Sequence, residues 1–188
     1  MSVVYLDNGA RLDSAFNNAM SDGFAQKLES DYFDGKKVID VYKIKKVNGG
    51  QYVSKDTLVN LVMDSGDDVV FLIDTPDFGQ ESFGDLKKSS SLNTSADSAF
   101  YTTCNLPFIT KIYVYDSMHK VDTVFSFKGS DVLRPVVYSN GKKTNEQLSD
   151  ELWKFVAPSA EGIGSKAANS FLSTWKAEQY SVIYFDNL

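Results

Sequence analysis

The chain has 188 residues, of which 43% are hydrophobic, 13% aromatic and 23% charged, with a formal net charge of −6. This composition is typical of a folded globular domain and excludes a disordered chain, and a domain of this length needs neither a metal nor a disulfide to hold its core. Because an acidic protein repels phosphate backbones, we expect no nucleic acid as a partner.

Membrane and export signals are absent from the sequence. No run of about 18 apolar residues is present, so we predict no transmembrane segment. The first residues, Met1–Leu6, lack the basic head and the long apolar stretch of a signal peptide. Since the chain begins directly on a predicted strand, we expect that a leader has been removed from the front of the domain.

The N-terminal part of the chain predicts a strand followed by a long helix. Val3–Leu6 is a short apolar strand, and Asp13 or Ser14 can cap a helix that continues to about Glu29. One face of this helix carries an apolar residue at every fourth position: Phe16, Met20, Phe24 and Leu28. This stripe predicts that the helix packs on a core.

A second strand and a second helix follow, and then the most apolar run of the chain. Val38–Ile44 has the β-branched residues and the alternation of a strand. Ser54 can cap a helix that ends near Gly66, and Val69–Ile73 predicts a central strand buried on both faces. The connections are long enough for crossovers, so we expect parallel pairing between at least some of these strands.

The middle of the chain predicts a loop and then a β-hairpin. Residues from about 87 to 98 are polar and serine-rich, which predicts an exposed loop. Phe108–Tyr115 and Val121–Phe127 predict the two strands of a hairpin, with a polar turn over residues 116–120.

The last part of the chain predicts two helices and a final strand. Asn145 can cap a helix that Pro158 ends, and Gly162 and Gly164 are expected to open the last helix. The β-branched and aromatic run Tyr180–Phe185 predicts a final strand.

These elements together predict one α/β (α+β) domain over residues 1–188. Its mixed sheet carries about four helices, and an N-terminal β-α-β-α-β unit is followed by a β-hairpin, two helices and a final strand. No segment repeats along the chain, so solenoid and propeller architectures are excluded.

The sequence offers few groups for catalysis or metal binding. His119 is the only histidine and lies in the predicted hairpin turn, which is a poor place for a positioned base. Cys104 is the only cysteine and lies in an apolar stretch, where cysteine behaves as a small hydrophobic residue. These two residues fall short of the four ligands of a structural zinc site, so we predict no catalytic set and no cofactor.

Five aspartates bracket the predicted central strand: Asp64, Asp67, Asp68, Asp74 and Asp77. Carboxylates at strand ends can bind Mg²⁺ or act as acid and base. Because they lack the spacing of a calcium loop, and because aspartate is a common turn former, we interpret them mainly as turn residues. Asp74 and Asp77 remain candidates for contact with a ligand.

The segment before the last predicted helix contains a second group of candidates. Gly162, Gly164 and Ser165 are candidates for anion contact, since free backbone amides at a helix start attract negative charge. The segment does not match the phosphate-loop pattern, because Gly164 is followed by Ser165 and no strand leads into it. In the alternative interpretation, the two glycines let the chain turn and the helix pack closely.

Two stretches of the chain resemble envelope proteins. The strand that ends at Asp7, the two following helices and the strand after Asp68 together resemble the N-terminal α/β modules of the TolB translocation protein and of curli secretion lipoproteins. The pattern from Gly162 to Phe185 resembles the end of an uncharacterised family of envelope lipoproteins from anaerobic gut bacteria. The resemblance implies an exported, non-enzymatic domain with an unknown protein partner. It also implies a lipid anchor on a cysteine upstream of the chain, because Cys104 lies in mid-domain.

The sequence leaves three functional hypotheses open. The first is a non-catalytic domain of the cell envelope that binds a protein partner or helps assembly, with the cytoplasm as the alternative location. The second is a small-molecule or glycan-binding module, which the ten tyrosines, the two tryptophans and the serine-rich loop motivate. The third is a carboxylate- or metal-dependent hydrolase that uses Asp74 and Asp77.

Overall fold

A computed structural model describes residues 1–47, 50–88 and 100–180, with side chains described up to residue 172. The predicted α+β fold class is confirmed: the described residues form a mixed β-sheet with four α-helices. The N-terminal unit contains β1 (Ser2–Asp7), α1 (Arg11–Tyr32), β2 (Asp40–Lys45), α2 (Lys55–Ser65) and β3 (Val69–Ile73). The strands that follow are β4 (Asp77–Phe78), β5 (Ser82–Phe83), β6 (Lys87–Lys88), β7 (Phe100–Asp116), β8 (Phe125–Leu133) and β9 (Val136–Ser139). The last elements are α3 (Asn145–Glu151), a 3₁₀ turn (Leu152–Lys154) and α4 (Ala157–Tyr180).

The sheet has a parallel half and an antiparallel half. Strand β1 pairs in parallel with β2 on one side and with β3 on the other. Strand β3 then pairs antiparallel with the long strand β7. Along the same side of β7 lie the short strands β4, β5 and β6, and on its other side lie β8 and β9. The predicted parallel pairing of the N-terminal strands is therefore confirmed.

Two hydrophobic clusters lie on opposite faces of the sheet. Alternate residues of β1 and β3, such as Val3 and Phe71, join α1 and α4 in the larger cluster. The intervening residues, such as Val4 and Val70, join Leu58 of α2 in the smaller cluster. Because β3 contributes to both clusters, every residue of Val69–Ile73 is buried, as its continuous apolar run predicts.

The predicted apolar stripe of helix α1 is confirmed, but the helix begins at a different residue from the one predicted. Phe16, Met20, Phe24 and Leu28 are all buried. The helix begins at Arg11 after Ala10, which supplies no side-chain cap, so the prediction of a cap at Asp13 or Ser14 is wrong. The Ser14 hydroxyl instead donates to the carboxylate of Asp7 at the end of β1.

The predicted ends of helix α2 are confirmed. The Ser54 side chain accepts a hydrogen bond from the Thr57 backbone amide, which is the N-cap interaction. Gly66 ends the helix in the left-handed conformation with φ of 72°, where a residue without Cβ is favoured.

The boundaries of the last two helices differ from the prediction. Thr144 rather than Asn145 caps α3, because its side chain and that of Gln147 form a reciprocal capping box. Helix α4 begins at Ala157, so Pro158 lies in its first turn instead of ending α3. Gly162 therefore lies inside α4, and the prediction that the glycines open this helix is wrong.

Other predicted elements are corrected or lie outside the described residues. The hairpin of β7 and β8 is present, but β8 begins at Phe125 rather than Val121 and continues to Leu133. Lys87 and Lys88, assigned to the predicted loop, form β6 against β7, whereas residues 89–98 lie outside the described part. Tyr180 ends α4, and the rest of the predicted final strand lies beyond the described residues.

Helices α1 and α4 cross through two glycines. A Cβ atom on Gly164 would lie 2.0 Å from the backbone oxygen of Met20, and one on Gly23 would lie 2.1 Å from the backbone oxygen of Glu161. Only a residue without a side chain fits such a contact between backbones. The interpretation that Gly164 permits close packing is therefore confirmed. Within the described helices, no segment is both long and apolar enough to cross a bilayer.

Replacing Gly164 by alanine should destabilise the protein. The added methyl group would meet the α1 backbone, and overpacking of this kind costs about 1–3 kcal/mol. Gly162→Ala is the matched control on the same helix, since a Cβ there has no atom within 4 Å. Alanine at this control site should stabilise the helix by up to about 1 kcal/mol. Urea denaturation of both variants measures the difference, and equal midpoints would contradict the close crossing.

Candidate functional site

The carboxyl ends of the three parallel strands meet at one edge of the sheet. Strand β1 lies between β2 and β3. The connection leaving β1 runs through α1 on one face and the connection leaving β2 runs through α2 on the other, so the chain reverses its direction across the sheet after β2. In open α/β sheets this reversal leaves a crevice where ligands bind. A hollow of about 420 Å³ lies here, and we call it the strand-end crevice. Its lining includes Leu6, Lys46, Tyr52, Ser54 and Asp74.

An ion pair occupies the polar side of the strand-end crevice. The Lys46 Nζ atom lies 2.8 Å from Asp74 Oδ1 and 2.7 Å from Thr75 Oγ1. Asp74 Oδ1 also accepts a hydrogen bond of 2.7 Å from the backbone amide of Thr75. The carboxylate of Asp74, which the sequence predicted as a ligand contact, is therefore already paired within the protein. It holds the Lys46 side chain at the end of β3.

Asp7, at the end of β1, is held as a carboxylate by its neighbours. The Ser14 hydroxyl and the Gly9 backbone amide donate hydrogen bonds to it, and Lys43 Nζ lies 3.5 Å away. The Ser14 hydrogen bond is the main reason that the pKa of Asp7 is lowered, followed by the Gly9 amide. The turn after β1 is therefore stabilised by a charge at the N-terminus of α1, where the helix dipole also favours it.

Asn17 is a site residue that the sequence analysis missed. Its Nδ2 atom donates to the backbone oxygens of Leu6 and Asp74, at 2.8 Å and 3.2 Å, and so joins the ends of β1 and β3. The side chain is fully buried, and its Oδ1 atom has no hydrogen-bond partner in the part of the chain that the structure describes. A polar residue next to the apolar stripe of α1 was the one signal in the sequence that pointed to this position.

Asp77 lies on a different surface from Asp74. It is exposed on β4, opposite Ile109 of β7, and lines a shallow hollow of about 400 Å³ with Pro107 and Ser130. The two candidate aspartates therefore belong to separate hollows. Among the described residues, no three of the histidine, cysteine, aspartate and glutamate side chains lie close enough to share a metal ion.

Among the described residues, no helix covers the sheet face around Asp77. Along β7, residues of even number from 102 to 114 are buried, whereas Asn105, Pro107 and Lys111 between them are exposed. The cluster under α2 reaches β7 only at Tyr113 and Tyr115. We call the exposed and half-exposed remainder the bare sheet face, and it consists of Asp77, Pro107, Ile109, Lys111, Lys128, Ser130 and Val132.

The candidate anion contacts in α4 do not lie at a helix start. Gly162, Gly164 and Ser165 follow the first turn, where backbone amides bond within the helix rather than to a ligand. Gly164 is buried against α1, and Gly162 is exposed. The free amides on which the anion interpretation rested are therefore not found at these three residues.

The one cysteine and the one histidine of the chain lie in different surroundings. Cys104 is fully buried, and burial raises the pKa of its thiol to about 11. His119 lies in the turn before β8, where its Nδ1 atom contacts the Val121 backbone amide at 3.1 Å and its ring meets Phe125 edge-on. Both observations agree with the structural roles expected from the sequence.

Comparison with known proteins finds only distant structural likenesses. No protein-family model and no curated protein sequence matches this chain. The crystal structure of the rare lipoprotein B from Shewanella oneidensis is 10% identical with a TM-score of 0.35, covering 97% of this chain and 99% of that one. A putative neuraminyllactose-binding hemagglutinin homolog from Helicobacter pylori is 11% identical with a TM-score of 0.37, covering 97% and 91%. PelC from Paraburkholderia phytofirmans is 10% identical with a TM-score of 0.30, covering 85% of each chain. Likenesses this distant support no functional conclusion.

Replacing Ser14 by alanine should make the free energy of unfolding depend less on pH in the acidic range. A carboxyl with a pKa lowered by folding stabilises the protein above its unfolded pKa of about 3.9, and that contribution is lost as the pH falls towards the folded pKa. Without the Ser14 hydroxyl the pKa of Asp7 should rise. The variant should therefore be less stable by about 1 kcal/mol at pH 7 and should approach the wild type below pH of about 4.

The measurement is urea denaturation between neutral and acidic pH. Ser30→Ala is the matched control, because Ser30 is exposed on the same helix. Parallel pH profiles for wild type and Ser14→Ala would contradict the assigned role of the hydroxyl.

Proposed function

We propose that this chain is a non-catalytic binding domain of the cell envelope that holds a protein partner on its bare sheet face. One observation supports this proposal above the others. The parallel strands β1 and β3 are covered on both faces, whereas the antiparallel half exposes one face along much of β7 and β8. A protein surface is the simplest kind of layer for such a face.

The side chains of the bare sheet face suit a protein partner. Pro107, Ile109 and Val132 supply apolar contact around the shallow hollow. Lys111 and Lys128 lie directly opposite each other on β7 and β8, and neither forms an ion pair with a described residue. Like charges opposite each other destabilise a sheet, so an acidic group of the partner would relieve a strain in the free domain.

The envelope location comes from the sequence resemblance. The N-terminal strands and helices and the C-terminal pattern both resemble modules of envelope proteins, which implies export and a lipid anchor. The proposal requires that the gene encode a leader ending in a lipidated cysteine ahead of this domain. Labelling of the full gene product with a fatty acid tests this requirement, and a gene that starts at Met1 would contradict it.

A second candidate function is small-molecule binding in the strand-end crevice. Its position at the reversal of strand order favours this function. The carboxylate-dependent hydrolase receives less support, because Asp74 is paired with Lys46 and Asp77 lies in another hollow. A ligand from a panel of sugars, nucleotides and carboxylic acids should raise the melting temperature of the wild type but not that of Lys46→Met. If no compound raises it, this second function is wrong.

A partner on the bare sheet face should be captured by a photo-cross-linker placed there. We expect p-benzoylphenylalanine at Ile109 or Val132 to give one cross-linked product in envelope fractions. The same group at Met63, which is 74% exposed on α2, is the control and should give none. Because the proposed contact is partly electrostatic, adding Lys111→Glu and Lys128→Glu should abolish the product. Equal cross-linking at Met63, or a product insensitive to the charge reversal, would contradict the proposal.

A further inference from the structure

Strand β8 presents an open edge. Its nine residues pair with β7, and no other strand among the described residues pairs with them. The Val132 amide donates to the Asp131 carboxylate at 2.8 Å, so this amide points away from β7. Because the backbone groups of a strand alternate in direction, those of Ser126, Lys128 and Ser130 also point outward. An extended segment can therefore form backbone hydrogen bonds with β8 at alternate residues.

A slot opens beside this edge on the side of α4. It has a volume of about 290 Å³, and we call it the β8 slot. Its lining includes Thr110, Ile112, Phe127, Gly129, Ala167 and Phe171. A Cβ atom on Gly129 would have no atom of the described residues within 4 Å, so this strand position borders open space on the slot side.

The walls of the β8 slot are aromatic, and its floor carries an unsatisfied polar group. The rings of Phe127 and Phe171 meet edge to face with centroids 4.7 Å apart, yet Phe127 remains 46% exposed. Thr110, the cross-strand neighbour of Gly129, is 6% exposed, and its hydroxyl has no hydrogen-bond partner among the described residues. Rotation about the Cα–Cβ bond of Thr110 exchanges its hydroxyl and methyl positions and can turn the hydroxyl towards the slot.

The charges beside the slot define the partner further. Lys128 forms no ion pair with a described residue, and Lys166 lies 3.7 Å from Asp131 with its side chain 74% exposed. Lys166 and Asp131 offset each other, so the charge without a described counter-charge along the β8 edge is Lys128, whose side chain lies on the bare sheet face, across the strand from the slot. This local excess is complementary to an acidic segment.

We infer that β8 binds an extended, acidic segment of a partner protein by strand addition, with a tyrosine or tryptophan of that segment inserted into the β8 slot opposite Gly129. An aromatic residue across from an edge glycine covers the exposed backbone and restores the missing packing. The hydroxyl of a tyrosine or the indole N–H of a tryptophan can form a hydrogen bond with the Thr110 hydroxyl, whereas phenylalanine has no polar atom for this contact. This inference rests on the proposed function, since it assumes a protein partner, but it uses a different surface.

The test is selection from a phage-displayed library of random nine-residue peptides on the folded domain. We expect enriched peptides to carry a central tyrosine or tryptophan with aspartate or glutamate on either side. Their affinity should fall at least about tenfold for Gly129→Leu, which fills the slot, and for Ser130→Pro, which removes an outward amide. Thr110→Val should remove the preference for tyrosine over phenylalanine. Gly162→Ala, at another open glycine, should bind like the wild type.

Several outcomes would overturn the inference. They are the absence of enrichment, a basic or aliphatic consensus, and unchanged binding by Gly129→Leu or Ser130→Pro variants that retain the wild-type circular dichroism spectrum. If Ser130→Pro fails to fold, the backbone hydrogen bonds are removed from the peptide instead, by methylating the peptide amides at the positions that pair with β8. Unchanged binding of the methylated peptide would also overturn strand addition. If the cross-linker at Ile109 captures a partner but the library yields no enriched peptide, the proposed function stands and only the β8 site is wrong.

Discussion

The alternation of strand β7 is the constraint on which the rest of the structure depends. This strand has 17 residues and pairs with β3, β4, β5 and β6 on one side and with β8 and β9 on the other. Because successive side chains point to opposite faces, its residues of even number, such as Cys104 and Phe108, enter the core under α1 and α4. Residues of odd number are then forced onto the other face, where α2 reaches only one end. The bare sheet face is thus a consequence of a strand longer than the helix layer above it.

The parallel half of the sheet solves a different problem, which is how to hold the ends of three strands together. Asn17 bonds to the backbone at the ends of β1 and β3, and Lys46 binds Asp74 from the segment after β2. These contacts use the polar groups that could otherwise face a ligand. In this half, β1 and β3 are buried on both faces and their ends are tied by polar contacts, whereas one face of the antiparallel half carries polar and apolar groups at the surface.

Local patterns in the sequence were sufficient to predict those features that depend on neighbouring residues. The apolar stripe of α1, the cap at Ser54, the stop at Gly66 and the buried run Val69–Ile73 are features of this kind, and all four are confirmed. The start of α4 was missed because two glycines close together usually interrupt a helix. Gly164 is tolerated for a reason that lies elsewhere in the chain, since the α1 backbone at Met20 leaves no room for a Cβ.

The candidate sites were harder to predict than the fold for the same physical reason. Asp74 was identified by its position after a strand, but its pairing with Lys46 depends on how β2 and β3 are placed around β1. The sequence around Gly129 carries no motif, and its meaning appears only when α4 is packed beside β8 to leave a gap. Cavities and open edges are properties of the spaces between elements, which a single sequence encodes only through the complete packing.

The open edge of β8 has an energetic consequence for the free domain. Unpaired backbone groups next to an exposed aromatic residue form a template for unwanted strand pairing, and proteins usually protect such edges with charges, proline or a covering element. Here Lys128 points onto the bare sheet face, and Asp131 is the carboxylate that satisfies an outward amide, so the protection is partial. Gly129 weakens it further, because a glycine inside a strand lowers strand stability and exposes the backbone. Among the described residues this edge is protected less fully than one covered by a helix or a loop, and the strand addition proposed for β8 would cover it.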